Sequence, residues 1–320
     1  MARIISLSGN RRYYTNSYNF FCKYKIYSSR SSLVRIIDNT FYFGKYFYAK
    51  YFLSGENDQV LVNLDMKSKV IKYALLDTSW YKMTSLIGFV QLYAGQLLFV
   101  KIFKTETAAI KEFENYSLVK RSKLASKFLI PDHWRCDNII FSEAIIASGK
   151  PDFDYLLGIF REWDDDREYE QLSDKKKESI TSALLHYNVQ LHAVLSRFNS
   201  RTIETVFSHG DFKLDNIVKT SSDTVSCKNG YAILDFECAG MYPKHYDFFS
   251  LVMEGYRYDY ERVSNLCESL FGSWENAKEH LENFLIFKLN IMIFEFQHSP
   301  TNKLLRKQLG LVRVFLDKMG

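Results

Sequence analysis

Residues 208–218, SHGDFKLDNIV, place several polar side chains together in a chain that is 47 % apolar. Among them, His209, Asp211 and Asn216 have the spacing H-x-D-x-x-x-x-N. A carboxylate such as that of Asp211 can orient a hydroxyl group and accept its proton while the hydroxyl oxygen attacks a phosphate. The amide oxygen of Asn216, together with a second carboxylate, would suit Mg²⁺, which prefers oxygen ligands. The segment therefore predicts a site for a metal ion and a phosphate, with a solvated loop as the alternative.

The second carboxylate of this predicted metal site is Asp235. It follows an apolar run in AILDFE, which is typical of the end of a strand. A hairpin between Asn216 and Asp235 would bring the two ligands together. A turn residue at a strand end is the alternative for Asp235 alone, and it explains the combination with Asn216 poorly.

The elements that must position these residues change in character along the chain. The first half contains short aromatic or β-branched segments typical of strands, namely FYFGKYFYAKYFL, DQVLVNL, KVIKYALL, IGFVQLYA and QLLFVKIF. A helix with Thr105 or Thr107 as its N-cap is predicted over residues 105–122. Further helices are predicted over residues 173–198 and 247–320. The pattern therefore indicates a β-rich N-terminal part and a helical C-terminal part.

Residues 83–100, MTSLIGFVQLYAGQLLFV, form an uncharged run that is long enough for a membrane-spanning helix. The run contains glycine, glutamine and many β-forming residues, and Ala94-Gly95 marks a tight turn within it. We therefore predict two strands joined by a hairpin.

The combined pattern HGDFKLDNIV…AILDFECAGMYPKHYDFFSLV resembles the aminoglycoside phosphotransferase and choline kinase family, whose members are relatives of the protein kinases. In that family HGD-x-x-x-x-N is the catalytic loop, and an apolar-Asp-x-Glu/Asp segment, matched here by residues 235–237, replaces the kinase DFG sequence. The resemblance also implies that Asp247 braces the catalytic loop and that the pair Leu191-His192 closes the preceding helix.

The resemblance is clear over residues 138–255, weaker over 83–137 and absent over 1–80. It implies an α+β, bilobal protein-kinase-like fold, with a β-rich N-terminal lobe and a mainly helical C-terminal lobe. We accordingly expect three segments: residues 1–80 as a β-rich extension of the small lobe, 81–149 as the nucleotide-binding small lobe with a hinge near 142–149, and 150–320 as the large lobe with the catalytic loop and acceptor site.

A kinase-like fold holds the α- and β-phosphates with a strand lysine, which is itself held by a helix glutamate. Lys101 lies inside the strand QLLFVKIF and Lys104 at its end, so Lys101 is the predicted phosphate ligand, with an exposed strand lysine as the alternative. Glu112 and Glu114 compete as its partner, and apolar residues at helical spacing after Glu112 favour that residue.

The resemblance implies further roles around the nucleotide. NIIFSEAIIASG resembles the family's hinge strand, so backbone groups of Ser142 and Ala144 are expected to bind the adenine edge of ATP. Lys213, two residues after the catalytic aspartate, is expected to contact the γ-phosphate. His209 and His192 are expected to fix the backbone through hydrogen bonds and not to act as acid or base.

The number and distribution of charged residues limit the kinds of partner that the protein is expected to bind. The net charge of +5 does not indicate nucleic acid binding. Residues 1–50 nevertheless hold nine lysines and arginines against a single acidic residue, Asp38. We interpret this segment as an ordinary basic, β-rich surface, with a peripheral contact to an anionic membrane surface as the alternative.

The five cysteines are odd in number and show no C-x-x-C spacing, so they predict neither a zinc site nor a disulfide framework. Reduced thiols are expected in the cytoplasm. The N-terminal sequence MARIISLSGNRRYY lacks an apolar stretch long enough for a signal peptide.

The function implied is ATP- and Mg²⁺-dependent phosphorylation of a hydroxyl group on a small molecule or a saccharide. A sugar or lipopolysaccharide-type acceptor is preferred over an aminoglycoside or choline, because the basic, tyrosine-rich N-terminus suits an acidic glycan. Tyr256, Tyr258 and Tyr260 are expected near the acceptor.

The alternative function is a catalytically inactive, kinase-like binding module. The joint presence of Asp211, Asn216 and Asp235 argues against it, because such groups would remain buried and unsatisfied at a cost of about 1–3 kcal/mol each. A protein kinase is disfavoured because the segment from Asp235 to Asp247 is too short for an activation loop.

Overall fold

The computed structural model describes residues 3–6, 12–17, 70–77, 84–145, 147–149, 151–161, 169–186, 192–220, 230–298 and 303–319. The predicted strands FYFGKYFYAKYFL and DQVLVNL, and most of the basic N-terminal residues, lie outside these segments. The chain divides into two compact units, the first comprising Met1–Glu114 and Pro131–Ala144, the second Asn115–Ile130 and Ile145–Gly320.

The first unit is built on an antiparallel sheet. Its seven strands within the described residues are β1 (Arg3–Ser6), β2 (Arg12–Thr15), β3 (Val70–Asp77), β4 (Thr84–Leu92), β5 (Leu97–Phe103), β6 (His133–Cys136) and β7 (Ile139–Glu143). They follow the order β1-β2-β3-β4-β5-β7-β6, and neighbouring strands are antiparallel throughout. Side chains including Leu75, Val90, Val100 and Phe141 form an apolar core on this sheet. Strands β1 to β3 show that part of residues 1–80 extends the sheet that carries Lys101.

Within the uncharged run, residues 84–100 form a β-hairpin, as predicted. Strands β4 and β5 pair with Phe89 opposite Phe99 and Val90 opposite Leu98. Gly95 in the turn has a φ of 81°, a left-handed conformation that glycine adopts without steric cost. Among the described residues, no helix is long and apolar enough to cross a membrane.

Helix α1 (Glu106–Arg121) follows β5 directly. Its first turn is capped by Thr105, whose hydroxyl oxygen accepts a hydrogen bond from the backbone N–H of Ala108 at 3.3 Å. Thr105 is therefore the N-cap of the two candidates.

The division between the two units falls within α1. Asn115 Nδ2 donates to the carbonyl oxygen of Phe236 at 3.2 Å, and the rings of Tyr116 and Phe236 lie 5.9 Å apart. In keeping with these contacts, residues 115–130 belong to the second unit. The sequence-based division at residues 149 and 150 did not anticipate this assignment.

The second unit is mainly helical. The helices that the structure describes there are α2 (Leu124–Lys127), α3 (Phe153–Arg161), α4 (Asp174–His186), α5 (His192–Ser200), α6 (Tyr246–Gly255), α7 (Tyr260–Phe271), α8 (Trp274–His298) and α9 (Lys303–Met319). The single helix predicted over residues 173–198 is thus described as two helices, α4 and α5, and residues 187–191 lie outside the described part.

Two small sheets in the second unit position the predicted catalytic loop. Their strands are β8 (Ala147–Gly149), β9 (Glu170–Gln171), β10 (Glu204–Ser208), β11 (Ile217–Thr220), β12 (Tyr231–Ile233) and β13 (Gly240–Pro243). One sheet has the order β13-β10-β9 and the other β12-β11-β8. The loop at residues 209–216 therefore connects an inner strand of one sheet to an inner strand of the other.

The segment before the catalytic loop is anchored by a buried ion pair. Glu282 on α8 is fully buried and accepts hydrogen bonds from Arg197 Nη2 at 2.6 Å and Arg201 Nη1 at 2.7 Å. The hydrogen bond that Arg197 donates to Glu282 raises the pKa of Arg197 against the opposing effect of burial. This pairing holds α5 and the start of the segment leading to β10 against α8.

Candidate active site

The loop in SHGDFKLDNIV is not a solvated surface loop. Ser208 and His209 are fully buried, and Asn216 is 9 % exposed. Phe212, also fully buried, places its ring against the rings of Phe128, Phe160 and His209. Burial of this phenylalanine fixes the loop, so its polar side chains are held in defined positions.

Asp211, Lys213 and Asn216 meet at one carboxylate. Lys213 Nζ lies 2.6 Å from Asp211 Oδ2, and Asn216 Nδ2 donates to the same oxygen at 3.0 Å and to the Asp211 carbonyl at 2.8 Å. Within the described part of the chain, Oδ1 of Asp211 accepts no such bond. One carboxylate oxygen is thus fixed, and the other can receive a hydroxyl group.

Lys213 keeps its positive charge in this setting. Burial lowers its pKa, but the carboxylates of Asp211, Asp235 and Glu254 more than offset that effect, and the pKa is raised overall. A protonated lysine beside the Asp211 carboxylate can offset negative charge on a phosphate.

Both ring nitrogens of His209 bind backbone groups. Nδ1 accepts from the N–H of Asp211 at 3.3 Å, and Nε2 lies 2.9 Å from the carbonyl oxygen of Leu234. A backbone N–H can only donate and a carbonyl can only accept, so the geometry assigns the ring proton to Nε2. His209 thus ties the catalytic loop to the residue before Asp235, which is the backbone-fixing role expected of it. His192 is exposed at the start of α5.

Asp247 braces the loop, as the resemblance implied. This buried carboxylate accepts from the N–H of His209 at 2.8 Å and from the N–H of Gly210 at 3.0 Å. Gly210 has a φ of 79°, and a Cβ there would lie 2.2 Å from the carbonyl oxygen of Cys238. Glycine is therefore required at this position by both backbone conformation and space.

Replacing Asp247 with asparagine should destabilise the protein by about 1–3 kcal/mol, because the new amide NH₂ would face a backbone N–H that needs an acceptor. The measurement is urea unfolding of the wild type and the variant. Asp317→Asn, on the exposed surface of α9, is the matched control and should leave stability unchanged. Equal stability of the two variants would contradict the bracing role.

Asp235 lies next to Asn216 in the structure. The N–H of Leu234 donates to the carbonyl oxygen of Asn216 at 2.9 Å, which brings the ends of β11 and β12 together. Asp235 itself is left-handed, with φ 69° and ψ 76°, and precedes a 3₁₀ turn at Phe236–Cys238. Such backbone conformations are uncommon outside glycine and often mark functional sites.

The residues present fit a magnesium ion. Because Asn216 uses its amide nitrogen on Asp211, its Oδ1 is the atom suited to a cation. With the carboxylate of Asp235 this makes a hard oxygen donor set. In the parts of the chain that the structure describes, no three or more His, Cys, Asp or Glu side chains are grouped so that they could hold a metal ion by themselves. Mg²⁺ commonly takes only one or two carboxylates from the protein, so the sparse set is appropriate.

The predicted phosphate-binding lysine has its expected kind of partner. Lys101 Nζ lies 2.7 Å from Glu112 Oε1, and their side chains are 11 % and 4 % exposed. Glu114 and Lys104 are both exposed. The structure thus selects Glu112 for the pair with Lys101 within the first unit.

The two predicted hinge residues differ in setting. Ser142 is buried within β7, opposite Phe99 of β5 and His133 of β6. Ala144 lies just after β7, its N–H donates to the Leu97 carbonyl at 3.4 Å, and the first unit ends there. Because Ser142 lies between two strands, Ala144 is the better placed of the two to present a backbone group to a ligand.

Glu254 is a site residue that sequence reasoning did not single out. Tyr258 Oη lies 3.4 Å from Glu254 Oε1, and Glu254 is among the carboxylates that raise the pKa of Lys213. It follows Asp247 by seven residues on α6, close to two helical turns, so both face the same way. That periodicity is the signal that could have identified it.

Comparison with known proteins agrees with this geometry. Residues 151–280, which contain the catalytic loop, Asp235 and Asp247, match the sequence profile of the phosphotransferase enzyme family. None of the curated proteins matches the chain.

The fold is similar to those of solved small-molecule kinases. LicA in complex with AMP has a TM-score of 0.52 and 12 % sequence identity, and the match covers 83 % of this chain and all of that chain. The choline kinase LicA from Streptococcus pneumoniae has a TM-score of 0.51 and 11 % sequence identity, and the match covers 82 % of this chain and 99 % of that chain. A GDP complex of aminoglycoside 2'-phosphotransferase-IIIa has a TM-score of 0.50 and 14 % sequence identity. The match covers 82 % of this chain and 99 % of that chain. Residues 151–280 are therefore similar to the phosphotransferase enzyme family, and the chain has the kinase-like α+β fold, β-rich in its first unit and mainly helical in its second, that the sequence predicted.

Proposed function

We propose that the protein is an ATP-dependent phosphotransferase that phosphorylates a hydroxyl group of a small molecule or a saccharide. The observation that carries the proposal is the hydrogen bonding of the Asp211 carboxylate. Its Oδ2 is held by Lys213 and Asn216, while Oδ1 is open to an acceptor hydroxyl. A carboxylate fixed on one side and available on the other is what proton acceptance from an attacking hydroxyl requires.

In this proposal each residue has a separate task. Asp211 orients the acceptor hydroxyl and takes its proton, and Lys213 offsets charge on the phosphoryl group being transferred. Lys101, oriented by Glu112, binds the α- and β-phosphates of ATP, and backbone groups near Ala144 bind the adenine. Asn216 and Asp235 would hold Mg²⁺, which when bound supplies positive charge beside the phosphates.

Lys101→Met should weaken ATP binding about 10- to 100-fold, since a charge-assisted hydrogen bond contributes about 1.5–3 kcal/mol. Calorimetric titration with ATP and Mg²⁺ measures this. The control is Lys104→Met, an exposed lysine beyond the end of the same strand, which should bind ATP like the wild type. The double variant Lys101→Met/Glu112→Gln removes the buried charge that the single change leaves behind. Wild-type ATP affinity in the folded double variant would contradict the role of Lys101.

Among acceptors we propose a sugar or lipopolysaccharide-type saccharide over an aminoglycoside or choline. The basic, tyrosine-rich N-terminus supports this choice, because it suits an anionic glycan or a membrane surface that presents one. Glu254 supports a polar acceptor more generally, since its carboxylate can accept hydrogen bonds from hydroxyl or ammonium groups. Tyr260 contributes less than the sequence suggested, because its ring packs against Trp274 and Phe315. We also propose a cytoplasmic location, where ATP is supplied, and no nucleic acid partner.

The proposal is tested by measuring ATP consumption and phosphorylated product across sugars, amino alcohols and aminoglycosides. We expect product with a saccharide acceptor. Product only with choline or an aminoglycoside would keep the enzyme class and overturn the acceptor choice. Tight Mg-ATP binding with no product from any acceptor would instead favour the inactive binding module.

A further inference from the structure

The segment that carries Asp235 is held at both ends by side chains from elsewhere in the second unit. At its start, His209 Nε2 lies 2.9 Å from the Leu234 carbonyl oxygen. At its end, Tyr242 Oη donates to the Cys238 carbonyl oxygen at 2.7 Å. The first contact belongs to the catalytic loop already described, whereas nothing in the proposed function accounts for the second.

Tyr242 also contacts the catalytic loop. A Cβ built on Gly210 would lie 2.7 Å from a ring carbon of Tyr242 and 2.2 Å from the Cys238 carbonyl oxygen. The tyrosine ring and this carbonyl therefore pack directly on the Cα of Gly210, one residue before Asp211. Tyr242 lies on β13, opposite Val206 of β10, so its backbone is fixed by the strand that leads into the loop.

The hydroxyl of Tyr242 remains a donor over the whole working range of pH. Burial raises the pKa of Tyr242 well above its usual value, and the neighbouring acidic groups, Asp247 and Asp211 among them, raise it further. A protonated phenol can donate to the Cys238 carbonyl, whereas a phenolate could not.

The left-handed backbone of Asp235 needs support of the kind that the Tyr242 hydrogen bond provides. A non-glycine residue in the left-handed region costs free energy and persists only where its surroundings hold it. We propose that Tyr242 is a positioning residue, which fixes residues 234–238 through the Cys238 carbonyl and thereby holds the Asp235 carboxylate in place to bind metal. This inference rests on the proposed function only in assigning a metal to Asp235.

Tyr246 provides a matched control for Tyr242. Its ring lies 4.3 Å from that of Tyr242, and it is fully buried. Among the described residues, its hydroxyl has no hydrogen-bond partner. Tyr246→Phe therefore removes the same atom from the same cluster without removing a bond to residues 234–238.

The experiment compares the wild type with Tyr242→Phe and Tyr246→Phe. Binding of Mn²⁺ in the presence of a non-hydrolysable ATP analogue is followed by electron paramagnetic resonance, at a temperature where thermal unfolding shows all three proteins to be folded. Tyr242→Phe should bind Mn²⁺ about three- to tenfold more weakly, the loss expected for one neutral hydrogen bond. Its half-saturating Mg²⁺ concentration in turnover should rise by the same factor, while the KM for the acceptor stays unchanged. Tyr246→Phe should match the wild type in each measurement.

The outcomes separate this inference from the proposed function. Wild-type Mn²⁺ affinity in Tyr242→Phe would overturn the positioning role and leave the proposed function intact. Equal losses in both variants would also overturn it, because they would indicate a general packing effect. If the wild type itself bound no Mn²⁺ with the analogue, the metal role of Asp235 would be wrong, and the proposed function would fall together with the inference.

Discussion

Replacing Asp211 with asparagine should lower turnover by about 10²- to 10⁴-fold, the range typical for loss of a general base. The affinity for Mg-ATP should stay nearly unchanged, because Asp211 is expected to meet the acceptor hydroxyl and not the nucleotide. Asparagine retains an oxygen that can accept from Lys213 and Asn216, so the loop geometry should survive. Steady-state turnover and calorimetric ATP titration on the same preparation measure the two quantities.

The matched control for this experiment is Asp215→Asn, which makes the same chemical change in the same loop. Asp215 is exposed, and the proposed chemistry gives it no task. Turnover of Asp215→Asn should therefore equal that of the wild type. Undiminished turnover in Asp211→Asn would remove the phosphotransfer interpretation of SHGDFKLDNIV altogether.

The parts of the site that could be predicted from sequence are those whose residues are close in the chain. His209, Asp211, Lys213 and Asn216 lie within one loop, so their spacing alone describes much of their geometry. The hairpin of β4 and β5 was predictable for the same reason, because alternation of apolar residues and the turn at Gly95 are local signals.

The parts that could not be predicted depend on contacts between distant residues. Asn115 donates a hydrogen bond to the carbonyl oxygen of Phe236, 121 residues away, and the end of α1 belongs to the second unit. Nothing in the composition around residue 115 indicates that partner. Tyr242 is a similar case, because its importance arises from the approach of the Cys238 carbonyl to Gly210 in three dimensions.

Glu254 is an intermediate case, because its position could be predicted in part from local sequence and in part only from the structure. Its periodicity relative to Asp247 is visible in the sequence, but only the structure shows that α6 directs this face toward Lys213. A charged residue on a helix is most often exposed to solvent, so this periodicity alone was not enough to single out Glu254. The acceptor side of the site is accordingly where structure adds most to the sequence-based prediction.

Replacing Asp235 with asparagine should weaken Mg-ATP binding about tenfold or more and lower turnover by orders of magnitude, because it removes the charged member of the metal donor set. Asparagine tolerates the left-handed conformation about as well as aspartate does, so the backbone at φ 69° should be kept and the loss can be assigned to charge. Asn216→Ala should weaken metal-dependent ATP binding less, since it removes a neutral ligand. It should nevertheless retain a turnover defect at saturating Mg²⁺, because it also removes a hydrogen bond to the Asp211 carboxylate.

The measurement for this pair of variants is ATP affinity and turnover over a series of Mg²⁺ concentrations, with Asp215→Asn again as the control. The affinity for the metal should be highest in the wild type, lower in Asn216→Ala and lowest in Asp235→Asn. If Asp235→Asn bound Mg-ATP like the wild type, its carboxylate would not be a metal ligand, and the left-handed residue after β12 would need another explanation. If high Mg²⁺ restored the turnover of Asp235→Asn but not that of Asn216→Ala, the two residues would have distinct roles. Asp235 would act through the metal alone, whereas Asn216 would also act through its hydrogen bond to Asp211.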